Sequence, residues 1–272
     1  MNRLTHDLRK AAAACVIGAA LWHPPAQASD ANHPVNFSDI WWNAAESGWA
    51  TYVAHHGDTA GFGLLVHDAE GRPFHVTGGL RLIARTNPGF HPVFGGTLIA
   101  TTGPGFGGVF DPVQVTRRVV GAATFEPLSA NTARLSYSID GVTVIKTVSR
   151  MTIDTPDIGG VYRHVQRLDF QAGTPGMAPR NYDAGVLTVD HQGASVSMRF
   201  DGEKSRCDYQ GQYAQNGRYG EITGVYGCDG GGGGAFRMTE VERSASGLSG
   251  KFSTLQGATG FVRGNFSALP GN

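Results

Sequence analysis

Helical signals are almost absent from this sequence. Beyond the first 28 residues, ten-residue stretches free of Gly and Pro that carry apolar residues at i, i+3, i+4 and i+7 are nearly absent. That excludes a core built from helices. Long apolar runs are also missing, so no later segment is expected to cross a membrane as a helix. No sign of charge is in excess: Lys+Arg and Asp+Glu both number 22, with no basic stripe, and nucleic acid is not an expected partner. Cysteines number only three and make no C-x-x-C pair. H-E-x-x-H, H-x-H and G-x-S-x-G are all absent, so no local motif announces a metalloprotease or a serine hydrolase.

What is present begins with an export signal. Arg3, Arg9 and Lys10 precede a short apolar run from Ala11 to Trp22, and Ala26-Gln27-Ala28 offers a cleavage site. Residues 1–28 read as a signal peptide, with a mature chain from Ser29 that is periplasmic or secreted and slightly acidic. An outer-membrane barrel is disfavoured by the frequent Gly and polar residues on both faces of the strands. Cleavage removes Cys15 and leaves Cys207 and Cys228, which in an oxidising compartment are expected to form one disulfide. The turn Gln215-Asn216-Gly217 lies between them, so the bridge would join the open ends of a hairpin.

Period-two alternation fills the mature chain. In the first half it predicts strands at 49–54, 61–66, 74–80, 95–101, 115–125, 133–139 and 142–150. Asp140-Gly141 is a two-residue hairpin signal whose residues both want φ > 0. A Pro- and Gly-containing stretch, 154–160, marks a boundary between a module at 37–153 and a second at 159–269. The polar stretch 171–183 reads as a long loop. Further strands follow at 186–190, 195–200, 207–213, 218–228, 234–241, 248–253 and 260–266. The fold class is all-β: two antiparallel meander modules, barrel- or sandwich-like, with one disulfide in the second. Forty glycines suit such a chain, as turns and as flat places beside aromatic rings in Gly250-x-Phe252 and Gly264-x-Phe266.

Chemistry is harder to find. Gly103-Pro104-Gly105-Phe106-Gly107-Gly108 spells a dinucleotide fingerprint, but Val109-Phe110-Asp111-Pro112 cannot open the helix that motif requires, so no cofactor is expected. His55, His56, His67, His75 and His91, with Asp58 and Asp68, offer metal-type ligands without a paired spacing, so no metal site is assigned. The most unusual segment is 39–49, which holds Trp41, Trp42 and Trp49, three of the four tryptophans. Adjacent Trp41 and Trp42 face opposite ways if extended, so one plugs the barrel and the other is partly exposed. Trp41, Trp42, Asn43, Glu46 and Trp49 are the candidate ligand-binding residues, because an exposed indole beside polar groups can stack on a sugar or anchor a partner.

Trp41-Trp42-Asn43-Ala44-Ala45-Glu46-Ser47-Gly48-Trp49, together with Thr102-Gly103-Pro104-Gly105-Phe106 to Phe110-Asp111-Pro112, resembles a family of exported proteobacterial proteins. They share a W-W-N-x-x-E-S-G-W opening, a hydrophobic hairpin and a T-G-P-x-F-x-x-x-F-D-P stretch. The resemblance covers 37–151, with Ala44 where Pro is expected and Ala50 where Gly often follows Trp. The second half, with Cys207-x-Tyr209-x-Gly211 and Gly224-x-Tyr226-x-Cys228, looks like a companion module of the same proteins. The resemblance implies export and brings no activity. In style, the short Trp motif before a meander is also similar to avidin and lipocalin barrels, which does not fix a function.

The expectation is a non-catalytic binding or structural protein of the cell envelope, with a glycan or other small ligand near the Trp motif. The alternatives are a secreted enzyme inhibitor or protein-partner module and, third, a metal-dependent hydrolase using the histidines.

Overall fold

The computed structural model describes residues 35–86, 91–105, 107–171, 180–256 and 260–271. The expected signal peptide and Phe106 lie outside the described residues. The chain forms two closed antiparallel barrels, each an eight-stranded meander. The first comprises β1 Asp39–Trp42, β2 Ala50–His56, β3 Thr59–His67, β4 Pro73–Thr86, β5 His91–Thr102, β6 Thr116–Pro127, β7 Thr132–Ile139 and β8 Val142–Arg150. The second comprises β9 Gly160–Gln171, β10 Arg180–Gln192, β11 Ser195–Gly202, β12 Arg206–Asn216, β13 Tyr219–Cys228, β14 Gly232–Ser244, β15 Gly247–Gln256 and β16 Gly260–Pro270. Closure comes from β1 pairing with β8 and β9 with β16. Among the described residues, no helix is long and apolar enough to cross a membrane.

Alternation builds each core. Trp41, Val53, Phe62, Leu64, Phe125 and Leu135 point into the first barrel and are buried. Each such side chain contributes about 1.5–3 kcal/mol on leaving water. Trp41 packs edge-on against Phe125, 5.1 Å between centroids, and its indole N–H donates to the Phe37 carbonyl at 3.0 Å. Trp42 points outward, half-buried. The hairpin at Asp140-Gly141 has both residues at positive φ, 47° and 86°. In the second barrel, glycines face rings across the strand pair rather than along one strand. Gly250 lies opposite Phe266 and Phe252 opposite Gly264, and a Cβ at either glycine would stand 2.8 Å from the facing ring. The disulfide joins Cys207 to Cys228, directly opposed on β12 and β13, and so ties the open ends of that hairpin.

Strand β9 is absent from the sequence expectation. Its inward face carries Tyr162, His164, Gln166 and Leu168, and the two central polar residues hide the alternation. Both are buried, at 7% and 8% exposure. Burial pushes the His164 imidazole from the usual 6.5 down to about 4. The folded pKa lies below that of the unfolded chain. The unfolded chain therefore takes up a proton that the folded one refuses, and stability falls as pH drops from about 6.5 to 4. Denaturation midpoints measured through that window should fall with a slope approaching one proton, and His164→Phe should flatten it.

The barrels belong to one compact unit, and they are joined at one end of each. Arg150, at the end of β8, has no exposed side-chain surface. Its guanidinium donates to the carbonyls of Ala130 (2.7 Å), Asn36 (2.7 Å) and Ser38 (3.3 Å) and to Asp39 Oδ2 (2.8 Å). It lies between two rings, 4.7 Å from Trp41 and 4.6 Å from Tyr219 of the second barrel. The turn between β12 and β13 docks here. Arg218 N donates to Asp39 Oδ2 at 2.9 Å, Gly217 N to Thr152 Oγ1 at 3.0 Å, and the Tyr219 hydroxyl to the Asn36 carbonyl at 3.2 Å. Gly217 has φ +58°, and a Cβ there would come within 2.4 Å of Asp39 Oδ2. The Asn-Gly turn thus shapes both the hairpin and the joint.

Candidate functional site at the open mouth of the first barrel

In a meander the odd strands run one way. The connections β1–β2, β3–β4, β5–β6 and β7–β8 therefore share the end opposite the joint. The Trp-rich segment forms the first of them. Asn43 caps a 3₁₀ turn at Ala44–Glu46, its Oδ1 accepting from Ala45 N at 3.0 Å. Ala44 occupies the first position of that turn, where proline would also fit. Gly48, at φ 119°, then turns the chain so that Trp49 enters β2 on the inward-facing side.

Glu46 is held where the turn overhangs the mouth. Its Oε2 accepts from the Trp49 indole N–H at 3.1 Å, and Lys146 Nζ of β8 approaches Oε1 at 2.9 Å and Oε2 at 2.7 Å. The hydrogen bond from Lys146, with further help from Trp49, holds the Glu46 carboxyl below its usual pKa. It is an acceptor across the ordinary pH range. Around this group opens a depression of about 420 Å³, walled by Glu46, Ser47 and Trp49, by Val66 and His67 from β3, and by Tyr137, Val144 and Lys146. Burial raises the Tyr137 phenol, so it stays protonated and able to donate. The depression thus offers one indole, one fixed carboxylate, one ammonium and one phenol, the apolar-plus-polar mixture that orients a small ligand.

The structure separates the five candidates from the sequence. Trp49 and Glu46 stand at the mouth, and Asn43 shapes the turn that presents them. Trp41 is spent in the core, with no surface to offer a ligand. Trp42 lies on the outer wall. Sequence reasoning missed Tyr137 and Lys146, and it named His67 only as a metal-type ligand. A signal for Lys146 existed: it shares a strand face with Val144, Val148 and Arg150, and an inward cation needs a partner.

The β5–β6 loop leaves the same end. Asp111 caps its 3₁₀ turn at Pro112–Gln114, accepting from Val113 N at 3.0 Å. Val109 is 95% exposed, Val113 89% and Phe110 64%. The Trp-rich turn and the 3₁₀ turn at Pro112–Gln114 therefore lie at the same end of the barrel.

The histidines do not gather. His55 is near the joint, its ring 5.3 Å from Phe37 and 5.2 Å from Phe94, with burial lowering its pKa. His67 is at the mouth, and His75 is exposed on β4. Among the described residues, no three His, Cys, Asp or Glu side chains approach as a metal-ligand set.

The sequence matches no protein-family model, and a search of curated proteins returns no match.

Proposed function

We propose that this is an exported, non-catalytic binding protein of the cell envelope whose first barrel takes a glycan at its open mouth. The observation that carries the reading is the Trp49–Glu46–Lys146 group in an open depression of about 420 Å³. A sugar ring presents a C–H face that stacks on an indole and hydroxyls that bond to a fixed carboxylate. The leader-like start and the disulfide support export, and the resemblance over 37–151 supports membership of the exported family named above.

Calorimetric titration with cell-wall oligosaccharides tests the reading. Saturable binding is expected, weakened at least about tenfold by Trp49→Ala, with a comparable loss for Glu46→Gln. Absence of binding by every oligosaccharide tried would remove it.

A second reading, docking to an envelope protein or acting as an inhibitor, draws on the exposed Val109, Phe110 and Val113. It predicts a stable complex recovered from periplasm or culture fluid that Phe110→Ser abolishes. An empty recovery with the intact protein would sink it.

A further inference from the structure

Hydrogen-bonding capacity at the mouth of the first barrel is partly spent inside the protein. The Trp49 indole N–H goes to Glu46, so the ring offers a ligand its faces. Lys146 Nζ reaches both oxygens of Glu46, and the pair cancels its own charge. An ionic ligand would have to break that pair to find a counter-charge, so the depression suits an uncharged one. Three contacts reach the carboxylate, whose oxygens carry about four lone-pair sites, and one acceptor position stays open.

Tyr137 adds a donor. It lies on β7 directly across from Val144 on β8, and both wall the depression. Its hydroxyl bonds no protein group among the described residues and is available to a ligand. The charges of Glu46 and Lys146 both act on it, and burial keeps the phenol protonated. Val66 of β3 completes the apolar part of the wall. An open acceptor, an open donor and two valines beside an indole face match the N–H, the C=O and the methyl of an acetamido group on a sugar ring. A plain hydroxyl in the same place would meet the acceptor or the donor and leave the valines against water.

We propose, resting on the glycan reading of this mouth, that it selects sugars bearing an acetamido group and that Tyr137 determines the selectivity. The Tyr137 hydroxyl donates to the acetamido carbonyl, Glu46 accepts from the amide N–H, and Val144 and Val66 cover the methyl.

Calorimetric titration of the intact protein with three β-1,4-linked trisaccharides tests this. One is the trimer of N-acetylglucosamine. Cellotriose has hydroxyls in place of the acetamido groups, and the glucosamine trimer has ammonium groups there. The N-acetylglucosamine trimer should bind at least about tenfold tighter than either of the others. Tyr137→Phe keeps the ring and should cut the preference over cellotriose about fivefold. A purely structural phenol would weaken both sugars alike and leave that ratio unmoved. Equal affinity of the intact protein for the N-acetylglucosamine trimer and cellotriose overturns the selectivity and leaves the glycan reading standing. Tighter binding of the glucosamine trimer also overturns it, because Glu46 would then be pairing with a cation. A ratio unchanged in Tyr137→Phe removes the role of Tyr137. No binding of the three while another cell-wall oligosaccharide binds overturns the selectivity alone, and no binding of any glycan removes both.

Discussion

Replacing Arg150 with methionine is expected to lower the unfolding free energy by about 3–5 kcal/mol, the usual loss when one member of a buried ion pair is removed. The loss has three sources. Asp39 keeps its charge in a setting that is 13% exposed and loses the cation that balances it. The carbonyls of Ala130, Asn36 and Ser38 each lose one donor, and Asn36 keeps the Tyr219 hydroxyl. The rings of Trp41 and Tyr219 lose the guanidinium between them, and so the first barrel loses grip on the second. Asp39→Asn should cost less, because the amide oxygen can still accept from Arg218 N and Arg150 keeps its carbonyls. Chemical denaturation followed by far-ultraviolet circular dichroism checks both. The intact protein should unfold in one transition, and Arg150→Met should unfold earlier and in two steps. A loss under about 1 kcal/mol would show that the joint is peripheral to stability.

Removing the disulfide should cost about 3 kcal/mol, as expected for closing a loop of this length in the chain-entropy account. The cysteines are 21 residues apart and pair directly across β12 and β13. This hairpin is fixed at both ends: the Asn216-Gly217 turn is docked at the joint, and the bridge closes the far end beside the glycine-rich turn after Cys228. Reduction, or Cys207→Ala with Cys228→Ala, should therefore lower the midpoint of the single transition, because the joint that couples the two barrels is left intact. Identical midpoints for oxidised and reduced protein would contradict this.

Much of the fold is legible because antiparallel strands with one face inward write themselves as alternation. The stretch 133–139 differs from β7 by one residue, and 142–150 coincides with β8. Legibility fails where tertiary context overrides the pattern. The expected strand at 74–80 continues as β4 to Thr86, because a register shift between Leu82 and Ala84 breaks the alternation without ending the pairing. Strand β9 vanished behind His164 and Gln166, polar residues on an inward face. The mouth was half visible: the Trp-rich stretch pointed to Trp49 and Glu46, but Lys146 lies 100 residues from Glu46 and meets it only through barrel closure. The role of Arg150 was invisible for the same reason, since its partners come from two separate stretches of the first barrel, 36–41 and the turn at Ala130, and one hairpin of the second.

Tryptophan emission addresses the mouth of the first barrel most directly, because Trp41 is buried, Trp42 faces the outer wall and only Trp49 borders the depression. Adding a bound cell-wall oligosaccharide to the chain from Ser29 onward should shift the emission saturably, with the shift kept in Trp42→Phe and lost in Trp49→Phe. A shift that persists without Trp49, or no saturable shift with any oligosaccharide, would contradict the account.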